Sequence, residues 1–357
     1  MGKVRNSNLE LYRIIVMLLI VAHHYVVNSG LMDILEEVPL SGKSLFYYWF
    51  GMWGKTGINC FVLITGYFMC KSTITIRKFL KLLLEIELYK IIIFAIFVIT
   101  GYEAFTLKGL AVVLLPAHTL SQNFASCFLL FYLCIPFLNI LINNLDKSKH
   151  LKLLVLCLTI YTLFGTLPKF SVTMNYVSWF CVLYVISSYI RLYGITPLKK
   201  YQVEHHVWGW LTLGFIVVSM LSVVITIYVD ENFGLTIHPY RWVQDSNTLL
   251  AVLTGVCSFM FFKDLHIGYS PLINKVGACT FGVLLIHANS DTMRRWLWKD
   301  LLDNVGGFFS NSFMLHAVLS VTIIFIVCVI IDYLRQQTIE KWMFVYIDRL
   351  LQKHNLK

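Results

Sequence analysis

The first long apolar run of the chain, residues 11–27, carries an arginine near its start and two adjacent histidines near its end: Arg13, His23 and His24. Ionisable side chains in such a run are costly, so they are read first as functional candidates. At about 100° and 1.5 Å per residue, the step from Arg13 to His24 returns to within roughly 20° of the same helix face and advances about 16 Å along the axis. One elongated ligand could touch both, whereas His23 points away from that line. A guanidinium is a fixed fork of donors suited to phosphate groups. An uncharged imidazole can serve as a general base or a nucleophile. Structural roles for the same residues remain open: Arg13 as a snorkelling anchor, and His24 as a hydrogen bonder between helices.

The elements that must position these groups follow from composition. Of 357 residues, 58% are hydrophobic and 13% are charged, and the mean hydropathy is +0.72. A soluble domain could not bury that much apolar surface, so the chain reads as a polytopic membrane protein. A spanning helix needs about 20 mainly apolar residues. Ten such runs are expected: 11–27, 46–69, 82–100, 124–142, 151–167, 176–190, 207–229, 249–262, 276–287 and 313–331. The shorter run 110–115, followed by Pro116, reads as a re-entrant or interfacial piece.

Ten spans put both termini on one side, and the basic residues agree. Of the 29 Lys and Arg, the loops opposite the termini and their margins hold only Lys43, Lys55, Lys108, Lys169, Arg241, Arg294, Arg295 and Lys299, and Lys90 lies within the third run. The other 20 fall on the terminal side, which makes that side cytoplasmic. The net charge of +10 therefore reports topology, and no nucleic-acid partner is expected. The nine cysteines lack paired spacing and read as small buried hydrophobes. No metal ligand set stands out. The first run has no small-residue cleavage pattern and reads as a signal anchor. All outer loops are short, with no internal repeat, so residues 1–357 read as one membrane domain: an all-α helix bundle with a core of about 8–335 and a cytoplasmic tail from 336 to 357.

Several segments share a resemblance. Arg, ten residues, then His in the first span is similar to the signature of acyltransferase family 3. Gly57-Ile58-Asn59-Cys60-Phe61-Val62-Leu63-Ile64-Thr65-Gly66-Tyr67-Phe68 resembles that family's second span, with Thr65 where Ser is usual. Phe131-Tyr132-Leu133-Cys134-Ile135-Pro136-Phe137-Leu138-Asn139 and Phe281-Gly282-Val283-Leu284-Leu285-Ile286-His287 resemble two further segments, with Leu284 replacing a Tyr in the last. The resemblance runs from about Asn8 to Arg335, closest to stand-alone enzymes that O-acetylate bacterial capsule or exopolysaccharide.

The resemblance implies a multi-pass protein of the bacterial cell membrane that takes an acetyl group from acetyl-CoA, without a metal, and places it on a hydroxyl of a surface glycan. Arg13 would then face the donor diphosphate, with Arg77 and Lys78 as further phosphate contacts. His24 would act as general base or transient acyl carrier. His287, at a similar depth, would orient the acceptor or assist proton transfer. Tyr67, Asn139 and the rim aromatics Trp242 and Trp296 are the candidate substrate contacts, with Lys55, Tyr240 and Trp298 as weaker ones. Topogenic roles for 71–81 and a lipid-interface belt for the aromatics are the plainer alternatives. A flippase for a lipid-linked sugar and a glycan polymerase are the competing functions. Neither gives a reason for the spacing of Arg13 and His24, and the two related halves with broken spans that mark many transporters are missing.

Overall fold

The computed structural model describes residues 5–115, 123–167, 170, 172–195 and 205–353, with side chains through 349. Pro116, Lys169, Lys199 and Lys200 lie outside the described residues. Those described form helices and connecting turns, with no strand among them. In chain order the helices are α1 (Ser7–Val27), α2 (Leu31–Glu37), α3 (Gly42–Gly51), α4 (Gly54–Met69), α5 (Ile76–Ile99), α6 (Leu107–Leu114) and α7 (Phe124–Asn143). Then follow α8 (Lys147–Thr166), α9 (Tyr176–Tyr193), α10 (His205–Phe233), α11 (Leu249–Asp264), α12 (Pro271–His287), α13 (Asp291–Leu301), α14 (Asn304–Phe309), α15 (Phe313–Gln337) and α16 (Ile339–Lys353). Polar residues start many of them. Thr75, Asn123, Asp146, Asn175 and Ser270 each accept a backbone N–H three residues on, satisfying a donor the helix itself cannot.

Each of the ten expected runs falls on helix, with three corrections. The second, 46–69, is two helices, α3 and α4, broken at Met52 and Trp53. The fifth contains a π-helical turn, Leu158–Leu163, within α8. The ninth, α12, is followed by α13 at a 93° bend. Among the described residues, five helical runs can cross a membrane by length and composition: α1, α7, α8, α10 and Phe313–Arg349. The bent α12–α13 pair makes a sixth if it counts as one span.

α1 is the central helix, packed against α3, α4, α11, α12 and α15. Small residues permit its close approach. A Cβ on Gly51 would lie 2.7 Å from Val26, one on Gly54 2.2 Å from His23, and one on Gly57 2.8 Å from Ile20. Three glycines spaced three apart thus form a groove for successive turns of α1, and that groove fixes the rotation of the helix carrying His23 and His24.

Where α12 packs against α15 lies a buried ionic cluster. Arg335 donates to Asp332 at 2.8 Å, Glu85 at 2.9 Å and Glu340 at 2.9 Å, while the Tyr89 hydroxyl and the Gln336 amide each donate to Asp332 at 2.7 Å. Gly282 makes room for it, since a Cβ there would sit 2.2 Å from the Asp332 carboxyl carbon. The cluster joins α5, α12, α15 and α16. Residues beyond Arg335 fold back as α16, where Glu340 also takes Lys81. Arg77 forks onto Asp348 at 2.7 and 3.0 Å and stacks on Phe344.

Candidate active site

His24 and His287, 263 residues apart in sequence, meet where α1 and α12 pack side by side. His24 Nδ1 lies 3.0 Å from His287 Nε2, and the ring centroids are 5.1 Å apart. His287 is 0% exposed, and its Nδ1 lies 2.6 Å from the carbonyl oxygen of Val283, one turn back in α12. A carbonyl only accepts, so His287 Nδ1 carries the proton of that contact. In the uncharged pair His287 Nε2 is then the acceptor and His24 Nδ1 the donor. The remaining nitrogen, His24 Nε2, is left with its lone pair and makes no hydrogen bond to any described residue. The second imidazole thus selects the tautomer of the first and leaves its basic nitrogen unprotonated.

His23 is held separately. Its Nδ1 donates to the Gly51 carbonyl at 2.6 Å, at the end of α3. With Lys55, Met52, His238, Tyr240, Gln244 and Asp245 it lines a cavity of about 300 Å³. Lys55 also donates to the Tyr176 hydroxyl at 2.7 Å.

Near the start of α1, Arg13 donates through Nη1 to Glu10 at 3.2 and 3.4 Å, and Arg5 reaches the same carboxylate at 3.1 Å. Two guanidiniums on one carboxylate leave a net positive charge. The Nε and Nη2 groups of Arg13 make no hydrogen bond to described residues, and its side chain is 23% exposed. Glu10 itself is wedged against Gly277 of α12. At this end of the bundle a cavity of about 470 Å³ is lined by Asn6, Asn8, Lys263, Asp264, His266 and neighbouring backbone.

The other expected contacts have protein partners. Tyr67 accepts from Arg191 at 2.8 Å, beneath its guanidinium. The Asn139 amide donates to the carbonyls of Met69 and Ser72 and accepts from Tyr184, tying α7 and α9 to the end of α4. Arg77 is engaged by Asp348, and Lys78 donates to Ser72 and Thr73. Trp296 packs edge-on against Phe97. Trp242 is 38% exposed, whereas Trp298 is buried and Tyr240, also buried, forms part of the wall of the cavity beside His23.

Sequence reasoning missed Glu10, although its place three residues before Arg13 on the same face was a readable signal. It also missed the Gly51, Gly54 and Gly57 groove, whose regular spacing was visible. Beyond the site, a family model described as an acyltransferase domain matches residues 6–333. No curated protein and no solved structure matches the chain.

Proposed function

The chain belongs to acyltransferase family 3 and is a membrane acyltransferase, and from that premise we propose that it transfers an acetyl group from acetyl-CoA to a hydroxyl of a surface glycan of a bacterial cell. In this reading ten spans cross the cytoplasmic membrane, with both termini inside. The observation that carries it is the His24–His287 pair, which leaves one unprotonated imidazole nitrogen on the helix that also bears Arg13.

The donor enters from the start of α1, and its diphosphate lies against Arg13. Its pantetheine arm extends about 16 Å toward His24. Met17 and Ile20 occupy that line and are buried, so donor binding requires the pliant Met17 and the stiffer, β-branched Ile20 to give way. None of the cavities described is lined by both Arg13 and His24. At the far end, His24 Nε2 takes the proton of the acceptor hydroxyl as its oxygen attacks the thioester carbonyl. The C–S bond breaks, and the imidazolium returns the proton to the leaving sulfur. The products are an O-acetyl ester and free CoA thiol. His287 keeps Nδ1 engaged throughout and so acts through His24 as a positioning residue.

Surface-glycan NMR of cells with and without the protein tests the activity. O-acetyl resonances should depend on it, and identical spectra would refute the reading. Substitutions at two positions test the roles. Arg13→Ala should raise the apparent donor KM about tenfold with kcat little changed, because a diphosphate contact is a binding interaction. An unchanged KM would remove Arg13 from the donor site. His287→Ala should lower kcat by about 10- to 100-fold at constant donor KM. His287→Gln, whose amide oxygen still accepts from Nδ1, should recover part of that loss, and equal rates in the two variants would argue against tautomer control.

A further inference from the structure

The 93° bend after His287 lays α13 across the end of α1. Between them is a second cavity near the imidazole pair, of about 360 Å³, lined by Asn28, Asp291, Thr292, Arg294, Arg295 and Lys299. It opens one helical turn beyond His24, since the Asn28 N–H donates to the His24 carbonyl at 3.1 Å. Three of its six residues are cations and one is an acid. These three are also among the eight basic residues assigned to the outer side, where positive charge is otherwise sparse. A cluster in that location is hard to explain as a topology signal.

The charges are incompletely neutralised. Arg294 donates to Asp291 at 2.6 Å and to the Ala288 carbonyl at 3.3 Å, yet its Nε is buried with no partner. Arg295 donates to the Tyr102 hydroxyl at 3.3 Å, and Tyr102 in turn donates to Asp300, which with Glu103 offsets part of the Arg295 charge from outside the cavity lining. Lys299 has no ion pair among the described residues. A concave site with surplus positive charge and unused guanidinium donors is suited to an oxyanion. Asn28 and Thr292 add neutral hydrogen-bonding groups to its wall.

We propose that this cavity binds a phosphate or carboxylate group carried by the glycan acceptor and so holds a neighbouring hydroxyl at His24 Nε2. The inference rests on the acetyl-transfer reading for its purpose, but the anion site itself can be tested without any transfer. An acidic acceptor would be drawn to the site by charge, and a neutral sugar of the same shape would bind more weakly.

The full chain is reconstituted in phosphatidylcholine nanodiscs and titrated with glucose 1-phosphate, and in parallel with glucose, by calorimetry. Saturable binding of the phosphate alone is expected. Arg294→Gln and Lys299→Gln should each weaken it about tenfold, whereas Lys149→Gln should bind as the wild type does. His24→Ala should also bind normally, so a failure of the chemistry and a failure of this site are read separately. Absence of saturable binding, or equal binding by the Arg294 and Lys299 variants, would overturn the proposal. So would a phosphate response that vanishes when phosphatidylglycerol is added to the discs, because the cluster would then be a lipid-headgroup contact.

Discussion

Replacing His24 by alanine is expected to abolish acetyl transfer, lowering kcat by about a thousandfold or more, while leaving expression, folding and donor KM close to wild type. The expectation follows from what His24 touches. The one hydrogen bond its side chain makes to a described residue is to His287, so its removal unmakes little of the bundle, but it removes the imidazole at the far end of the Arg13 face. Initial rates with purified protein and labelled acetyl-CoA give the answer directly. Rates within a few-fold of wild type would exclude His24 from the chemistry.

The second large effect is on stability. Arg335→Ala should destabilise the chain by about 3–5 kcal/mol, the usual consequence of removing one partner from a buried ion pair. Asp332 is 0% exposed and Arg335 5% exposed, so the carboxylates of Asp332 and Glu85 would be left facing each other without their shared cation. The helices α5, α12, α15 and α16 would lose their common junction. Arg335→Lys should fall between, because a single ammonium cannot reach three carboxylates in the same fork geometry. Loss of the monodisperse folded fraction on graded heating in detergent measures it. A variant as heat-resistant as wild type would show that the cluster contributes no net stability.

How far the sequence reached depended on the range of each interaction. The Arg13–His24 register was legible because helical periodicity is a local property. So was the ion pair between Glu87 and Lys90, three residues apart and observed at 3.1 Å. Glu85, in the same stretch, pairs instead with Arg335, 250 residues away, and nothing local announces that partner. The contact between His24 and His287 is of the same kind. Sequence placed both residues at a similar depth, yet only the packing of α1 on α12 shows that the two imidazoles touch. The break at Met52 and Trp53 was hidden because apolar length favours one long span, although Gly51, Gly54 and Gly57 marked the place where backbone approaches backbone. Aromatic residues at the rim could not be sorted by type. Burial separates Trp298, packed against Tyr25 and His287, from Trp242 at the surface.

The most direct measurement places purified chain in sealed vesicles loaded with radiolabelled acetyl-CoA and bathed in de-O-acetylated surface glycan. Wild-type protein should move the label to the outer glycan as an alkali-labile ester, and His24→Ala protein should move none. Folded wild-type protein that leaves the glycan unlabelled, while carrying a lipid-linked sugar across the bilayer, would contradict the assignment.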